Sequence, residues 1–244
     1  MKRMEKIKLS VIVPVFNEEL IIAEALKKIT DFLIKKSYSW EIIVIDDGSF
    51  DKTTMIVDSF GLKNLRLEKL SVNRGKGGAI RRGVELANGE FIIFTDVDLS
   101  VPIEYVDKFL LELEKGNPIV IGSRRIIGSK IIKHQGWLRE SMGRGFTFLS
   151  RIVTGTNTSD FTCGLKGFRA DVAKKIFAKS VLNRWVFDSE VIFLAQKFKF
   201  RIVEIPVEWI NREDSRIESL GSTGFKSFME LMQIRLNDFA GKYD

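Results

Sequence analysis

Asp96-Val97-Asp98 sets two carboxylates at i, i+2 directly after the apolar run 90–95. Past the end of a strand, both can reach one hard cation, which takes oxygen ligands and keeps coordination places for water and phosphate oxygens. Asp at such a position otherwise caps a helix or closes a turn. The location at a strand end favours the ligand role. A second acidic stretch, Asp46-Asp47-Gly48-Ser49, closes the apolar run 41–46. An Asp there can accept from a base N–H or a ribose hydroxyl, with the ring of Phe16 stacked beside the base, while Ser49 or Asp51 caps a helix beginning near Lys52. Asn73-Arg74-Gly75-Lys76-Gly77-Gly78 offers backbone N–H groups and two cations to a phosphate or diphosphate. It is not a Walker A loop, because Gly77 follows Lys76 where Ser or Thr is needed. On glycine content alone it serves equally well as the entry into a tightly packed helix.

These residues need a frame that brings them together. The apolar runs Leu9–Val15, 41–46, 65–70, 90–95 and 119–122 alternate with helical periodicity, the pattern of a mostly parallel α/β sheet covered by helices. Ile22, Leu26, Ile29 and Leu33 recur at helical spacing, as do Val106, Phe109, Leu110 and Leu113. In such sheets ligands bind at the carboxyl ends of the strands. Pro14 to Glu18, Asp46 to Ser49, Asp96 to Asp98 and Gly122 to Arg124 are those ends. After Gly122 the rhythm breaks, and 124–160 reads as a mobile loop with one helix. A last strand pair is expected within 200–209 and a closing amphipathic helix over 225–239, its basic outer side a solvated face.

The chain has 244 residues, 45% hydrophobic and 29% charged, which excludes whole-chain disorder, collagen and a disulfide scaffold and suits one domain, 1–244, with 124–160 and 211–244 as elaborations. A net charge of +7 and a pI near 9.4 favour anionic partners. Cys163 is the only cysteine, so an intrachain disulfide and a cysteine metal cluster are both excluded. No run approaches eighteen uninterrupted apolar residues, so membrane contact is expected to be peripheral. His134, the only histidine, reads as a loop residue, and Cys163 as small packing rather than a nucleophile.

Ser10 to Pro14 with Asn17-Glu18-Glu19, then Asp46-Asp47-Gly48-Ser49, Asn73 to Gly77, Asp96-Val97-Asp98 and Gly122-Ser123-Arg124, resemble in order and spacing the family 2 glycosyltransferases of the GT-A fold, a Rossmann-like sandwich. Asp160-Phe161-Thr162-Cys163-Gly164-Leu165-Lys166, Trp185 to Glu190 and Ile205 to Trp209 resemble the branch of dolichyl-phosphate glucose and mannose synthases. The Asp160 to Lys166 run is closer to the glucosyl members. Ser100 and Phe16 stand where mannosyl-type members often carry Gln and Tyr.

The resemblance implies inverting transfer of a hexose from a nucleotide sugar, UDP-glucose favoured over GDP-mannose, to a polyprenyl phosphate at the cytoplasmic membrane face. By position, Pro14, Phe16, Glu18, Ile45 and Asp47 would line the nucleoside pocket. Asp96 and Asp98 would hold Mg or Mn. Arg124 would approach the donor sugar or its phosphates, Lys166 would reach a phosphate, and Arg212 and Arg216 would close over the donor, while Lys76 is a phosphate candidate from the glycine-rich loop itself. Asp188 is given a positional or sugar-binding role in preference to that of a base. The cations and apolar residues of 124–154 suit an anionic membrane surface, with a separate membrane subunit as a possible companion. A soluble acceptor ranks second. Nucleic-acid binding, suggested by charge alone, ranks last.

Overall fold

The computed structural model describes residues 6–133, 136–211 and 220–244. Its first half is β1 (Leu9–Val15), α1 (Ile22–Leu33), β2 (Trp40–Asp46), α2 (Thr53–Ser59), β3 (Leu65–Lys69), α3 (Lys76–Leu86), β4 (Phe91–Phe94), α4 (Tyr105–Glu114) and β5 (Ile119–Ser123). β1 is buried at every position but Pro14, as expected of a parallel strand covered on both faces. α1 buries Ile22, Ala25, Leu26, Ile29 and Leu33, and α4 buries Val106, Phe109, Leu110 and Leu113, matching the stripes legible in the sequence.

The second half departs from the expected loop and helix. It contains β6 (Lys130–Lys133), α5 (Trp137–Thr154), β7 (Lys166–Arg169), α6 (Ala170–Lys179), α7 (Phe187–Lys197), β8 (Ile202–Pro206), β9 (Glu208–Ile210) and α8 (Leu220–Phe239). The 124–160 segment therefore holds a strand besides its helix. β8 and β9 fill the expected strand region but do not pair with each other: β8 joins β5, and β9 forms a separate two-stranded ribbon with β6.

The main sheet has the order β3-β2-β1-β4-β7-β5-β8, parallel except for β7. Chain order reverses between β1 and β4, so the connections leaving their carboxyl ends diverge and open a crevice. β7 runs antiparallel between β4 and β5, with Lys166 in register with both Phe94 and Ile121. That register delivers the first residue of β7 to the same rim. One hydrophobic cluster lies on each side of the sheet. The first joins Phe94, Phe168, Phe177 and Phe187, whose rings meet at centroid distances of 5.8–6.4 Å, to Leu231 and Ile234 of α8. The second joins β1, β2 and β5 to α1 and α4.

The outer side of α8 is not the solvated basic face expected from the sequence. Phe228, Met229, Met232, Leu236 and Phe239 are exposed by 41–87%. No helix among the described residues is long and apolar enough to cross a membrane.

Candidate active site

The crevice is built where β4 ends. Leu99 adopts φ 49, a left-handed conformation costly for a branched side chain, and turns the chain so that Asp98 accepts from the Ser100 N–H at 2.9 Å and its hydroxyl at 2.8 Å. Asp96 pairs with the Lys76 ammonium from the first residue of α3. On its other side Asp96 lies against Gly164, where any Cβ would overlap the carboxylate. Burial, then the neighbouring Asp96 charge, raises the Asp98 carboxyl above its ordinary value. Lys76 faces Asp96, Asp188 and Asp98; burial opposes its charge, and the three carboxylates outweigh burial and raise its pKa.

Beneath the crevice Lys166 donates to Asp188 at 2.5 Å and to the Cys163 carbonyl at 2.7 Å. Its side chain is 1% exposed, so the amine is enclosed by protein and does not face the cleft where a phosphate contact was expected. Burial raises the Asp188 carboxyl against the pull of Lys166 and Lys76. Two ammonium groups thus face three carboxylates. Arg124, expected at the donor, forks onto Asp160 through Nε at 2.6 Å and Nη2 at 2.7 Å, and Nη2 also reaches Thr162 at 2.9 Å. Its guanidinium ties the end of β5 to the 160–166 segment. The pair holds Asp160 well down, at about 2, although burial alone would raise it. Cys163 is fully buried against Gly122, and burial pushes its thiol up to about 11, which agrees with a packing role.

The side where a nucleoside was expected is less uniform. Asp46 caps its own turn, accepting from the Ser49 N–H at 2.8 Å and the Thr54 hydroxyl at 2.6 Å. Asp51 accepts from the Thr53 N–H at 2.9 Å at the first residue of α2, whose N-cap position is Lys52. Asp47 accepts from the Arg74 and Gly75 N–H groups, each at 2.7 Å, and burial raises its carboxyl against those bonds. Phe16, 37% exposed, meets the more exposed Phe50 edge to face at 6.0 Å, forming an aromatic edge beside Asp47 and the left-handed Asn17. Glu18 and Pro14 stand half-buried at the end of β1, the Glu18 N–H donating to Thr53 at 2.8 Å. Ile45 is fully buried in the core, so its side chain is not at this surface.

The glycine-rich loop resolves toward packing. The Gly77 and Gly78 N–H groups at the start of α3 donate to the Asn183 carbonyl at 2.7 and 3.2 Å. A Cβ at Gly77 would sit 2.5 Å from that of Phe187. The helix start is filled by protein, and Lys76 alone projects from the loop toward the acids. Asn183 is a site-forming residue that a local reading misses, since it lies 102 positions from its other partner, Arg81. Glu190 is another: its carboxylate accepts from the Val181 and Leu182 N–H groups and from the Tyr243 hydroxyl at 2.6 Å, fixing the segment that carries Asn183. Arg212, Arg216 and His134 lie outside the described residues.

A divalent cation fits this donor set. Asp96 and Asp98 supply hard oxygens at one rim, and the Lys76 ammonium already stands against Asp96 as an internal cation. Among the described residues no group of three or more His, Cys, Asp or Glu side chains converges as a metal site.

The model of Glycosyl transferase family 2 matches residues 10–177. The chain is 34% identical to the dolichyl-phosphate β-glucosyltransferase of Dictyostelium discoideum over 97% of its own length and 76% of that protein. It is 32% identical to the enzyme of that description from Homo sapiens, over 96% and 77%. Glucosyl-3-phosphoglycerate synthase from Mycobacterium tuberculosis, solved with Mn2+, UDP-glucose and glycerol 3-phosphate, shares the fold with a TM-score of 0.67 at 18% identity, over 94% of this chain and 79% of that one. Strand order, the acidic crevice and this family match agree with the GT-A-type sandwich expected from the motifs, and the chain belongs to glycosyl transferase family 2.

Proposed function

We propose that the protein transfers glucose from UDP-glucose to a dolichyl or other polyprenyl phosphate, with inversion, at the cytoplasmic face of a membrane. The observation that carries this reading is its similarity, over nearly the whole chain, to dolichyl-phosphate β-glucosyltransferases from three organisms at 32–34% identity. The chemistry of the crevice supports it. A phosphate monoester has a second pKa of about 6 and is already a nucleophile near neutral pH, so the acceptor needs no general base. Asp188, whose Oδ1 holds Lys166, is accordingly a positioning group. Phe16 and Phe50 offer ring faces and edges to a base, and Asp47 fixes the loop that aims Lys76 toward the crevice. A divalent ion, Mn or Mg, held by Asp96 and Asp98 would offset the negative charge growing on the departing diphosphate.

The acceptor's tail must stay in lipid, and one surface suits that. α5 exposes Trp137, Phe148, Leu149 and Ile152, and α8, packed against it, exposes Phe228, Met229, Met232 and Leu236. Arg144 and Arg151 flank the α5 side, near Arg125, whose pKa is lowered by burial and then by Arg124, Arg144 and Arg151 against the pull of Asp160. Cations beside an apolar face favour an anionic leaflet. The test is transfer of labelled glucose from UDP-glucose to dolichyl phosphate, with GDP-mannose and a soluble sugar acceptor as comparisons. Transfer from UDP-glucose to the prenyl phosphate is expected; labelling only of the soluble sugar overturns the reading.

A further inference from the structure

Lys76 meets the acidic crevice and keeps part of its side chain open to solvent. Its ammonium pairs with Asp96 and lies 6.0 Å from the centre of the Phe187 ring, within reach of the field of Asp98 and Asp188. Its backbone is fixed on both sides. Gly75 donates to Asp47 at 2.7 Å, and Gly77 donates to Asn183 at 2.7 Å. The side chain is not fixed in that way: it is a four-carbon stem ending in a point charge, with 20% of its surface open. Lys166 differs in kind, being enclosed at 1% exposure between Asp188 and a carbonyl.

We infer that Lys76 is the resident counter-ion of the Asp96–Asp98 pair, that it occupies the cation's place in the ion-free protein, and that a divalent ion binds only by displacing it. The inference rests on reading Asp96 and Asp98 as the ion's ligands. With Lys76 in place, the arriving ion competes with an ammonium rather than with water alone. Displacement frees the Lys76 charge for the donor's diphosphate, so ion and nucleotide become linked: an ion alone binds against Lys76, and an ion with diphosphate binds with it.

The test is the affinity for Mn2+ alone, read by the free-ion electron paramagnetic resonance signal, in the wild-type chain, Lys76→Met and Lys76→Gln, each checked by circular dichroism for retained fold. Both variants are expected to bind Mn2+ about tenfold more tightly than wild type in the absence of nucleotide, a difference of about 1.4 kcal/mol. With UDP added the order reverses, because the variants lack the freed ammonium. Mn2+ affinity unchanged or weakened by both substitutions, or no Mn2+ binding by any of the three proteins, overturns the inference. A wild-type chain that binds Mn2+ in the expected manner yet transfers no glucose overturns the proposed function and leaves the role of Lys76 standing.

Discussion

Lys166 and Asp188 meet at 2.5 Å with 1% and 7% of their side chains exposed, the Asp in the first turn of α7 and the Lys at the start of β7. The pair joins the antiparallel strand to the helix whose amino end closes over Gly77. A buried ion pair gains little over a well-packed apolar replacement, but losing one partner strands a charge, at a cost of about 3–5 kcal/mol. Lys166→Met and Asp188→Asn should each lower the urea midpoint strongly. The double variant Lys166→Met with Asp188→Asn should lose clearly less than the two singles combined. Additive losses in that cycle would mean the two charges do not depend on each other.

Gly164→Ala separates the site from the fold. The new Cβ would land on the Asp96 carboxylate, while the glycine's own backbone needs no unusual conformation. The carboxylate is the part able to yield, so the expected result is a nearly normal melting temperature with nucleotide affinity in the presence of Mn2+ reduced about tenfold or more, an energy near 1.4 kcal/mol. Calorimetric titration with UDP checks this. Full affinity in the alanine variant would show that Asp96 has another arrangement open to it.

The contrast between Asp96 and Gly77 explains what a sequence can disclose. The strand-end positions of Asp96, Asp98, Asp47 and Phe16 were legible because each follows an apolar run, and strand ends in a parallel sheet point to one rim. α1 and α4 were legible because their buried stripes keep a strict helical period. Gly77 and Gly78 were ambiguous because their N–H partner, the Asn183 carbonyl, is distant in sequence and leaves no local mark. β7 was invisible for a related reason: Lys166–Arg169 is four residues long and has no alternation to betray it. The same holds for Lys166, whose charge suggests a surface ligand until the fold encloses it. Arg124 likewise looked free for a phosphate until Asp160 took its fork.

That fork gives the chain an acid-sensitive element. Asp160 titrates at about 2 in the folded protein against an ordinary 3.8, so the folded state binds fewer protons than the unfolded one. Its contribution is fully present above pH 4 and is lost as pH falls from 3.8 through 2. At 1.36 kcal/mol per unit the loss is about 2 kcal/mol. Asp160→Asn should start less stable and show a flatter decline across that window, measured by urea unfolding at successive pH values. An unchanged slope would place the acid sensitivity elsewhere.

Phe228, Met232 and Leu236 recur at i, i+4 and i+8 on the outer side of α8, opposite the buried Leu231 and Ile234. Burying such side chains in a leaflet returns roughly 25 cal/mol per Å2 of apolar surface, so two of them change vesicle partitioning by an order of magnitude or more. The variant Phe228→Ser with Met232→Ser should therefore sediment about tenfold less with vesicles containing anionic lipid, and wild type should prefer those vesicles to neutral ones. Neither residue touches the crevice, so transfer to a short, water-soluble prenyl phosphate should stay within about twofold of wild type, well under the tenfold that 1.4 kcal/mol represents. Equal vesicle binding by variant and wild type would remove the membrane role of α8. A concentration-dependent dimer of the wild type, abolished in the variant, would assign the same face to a second copy of the chain.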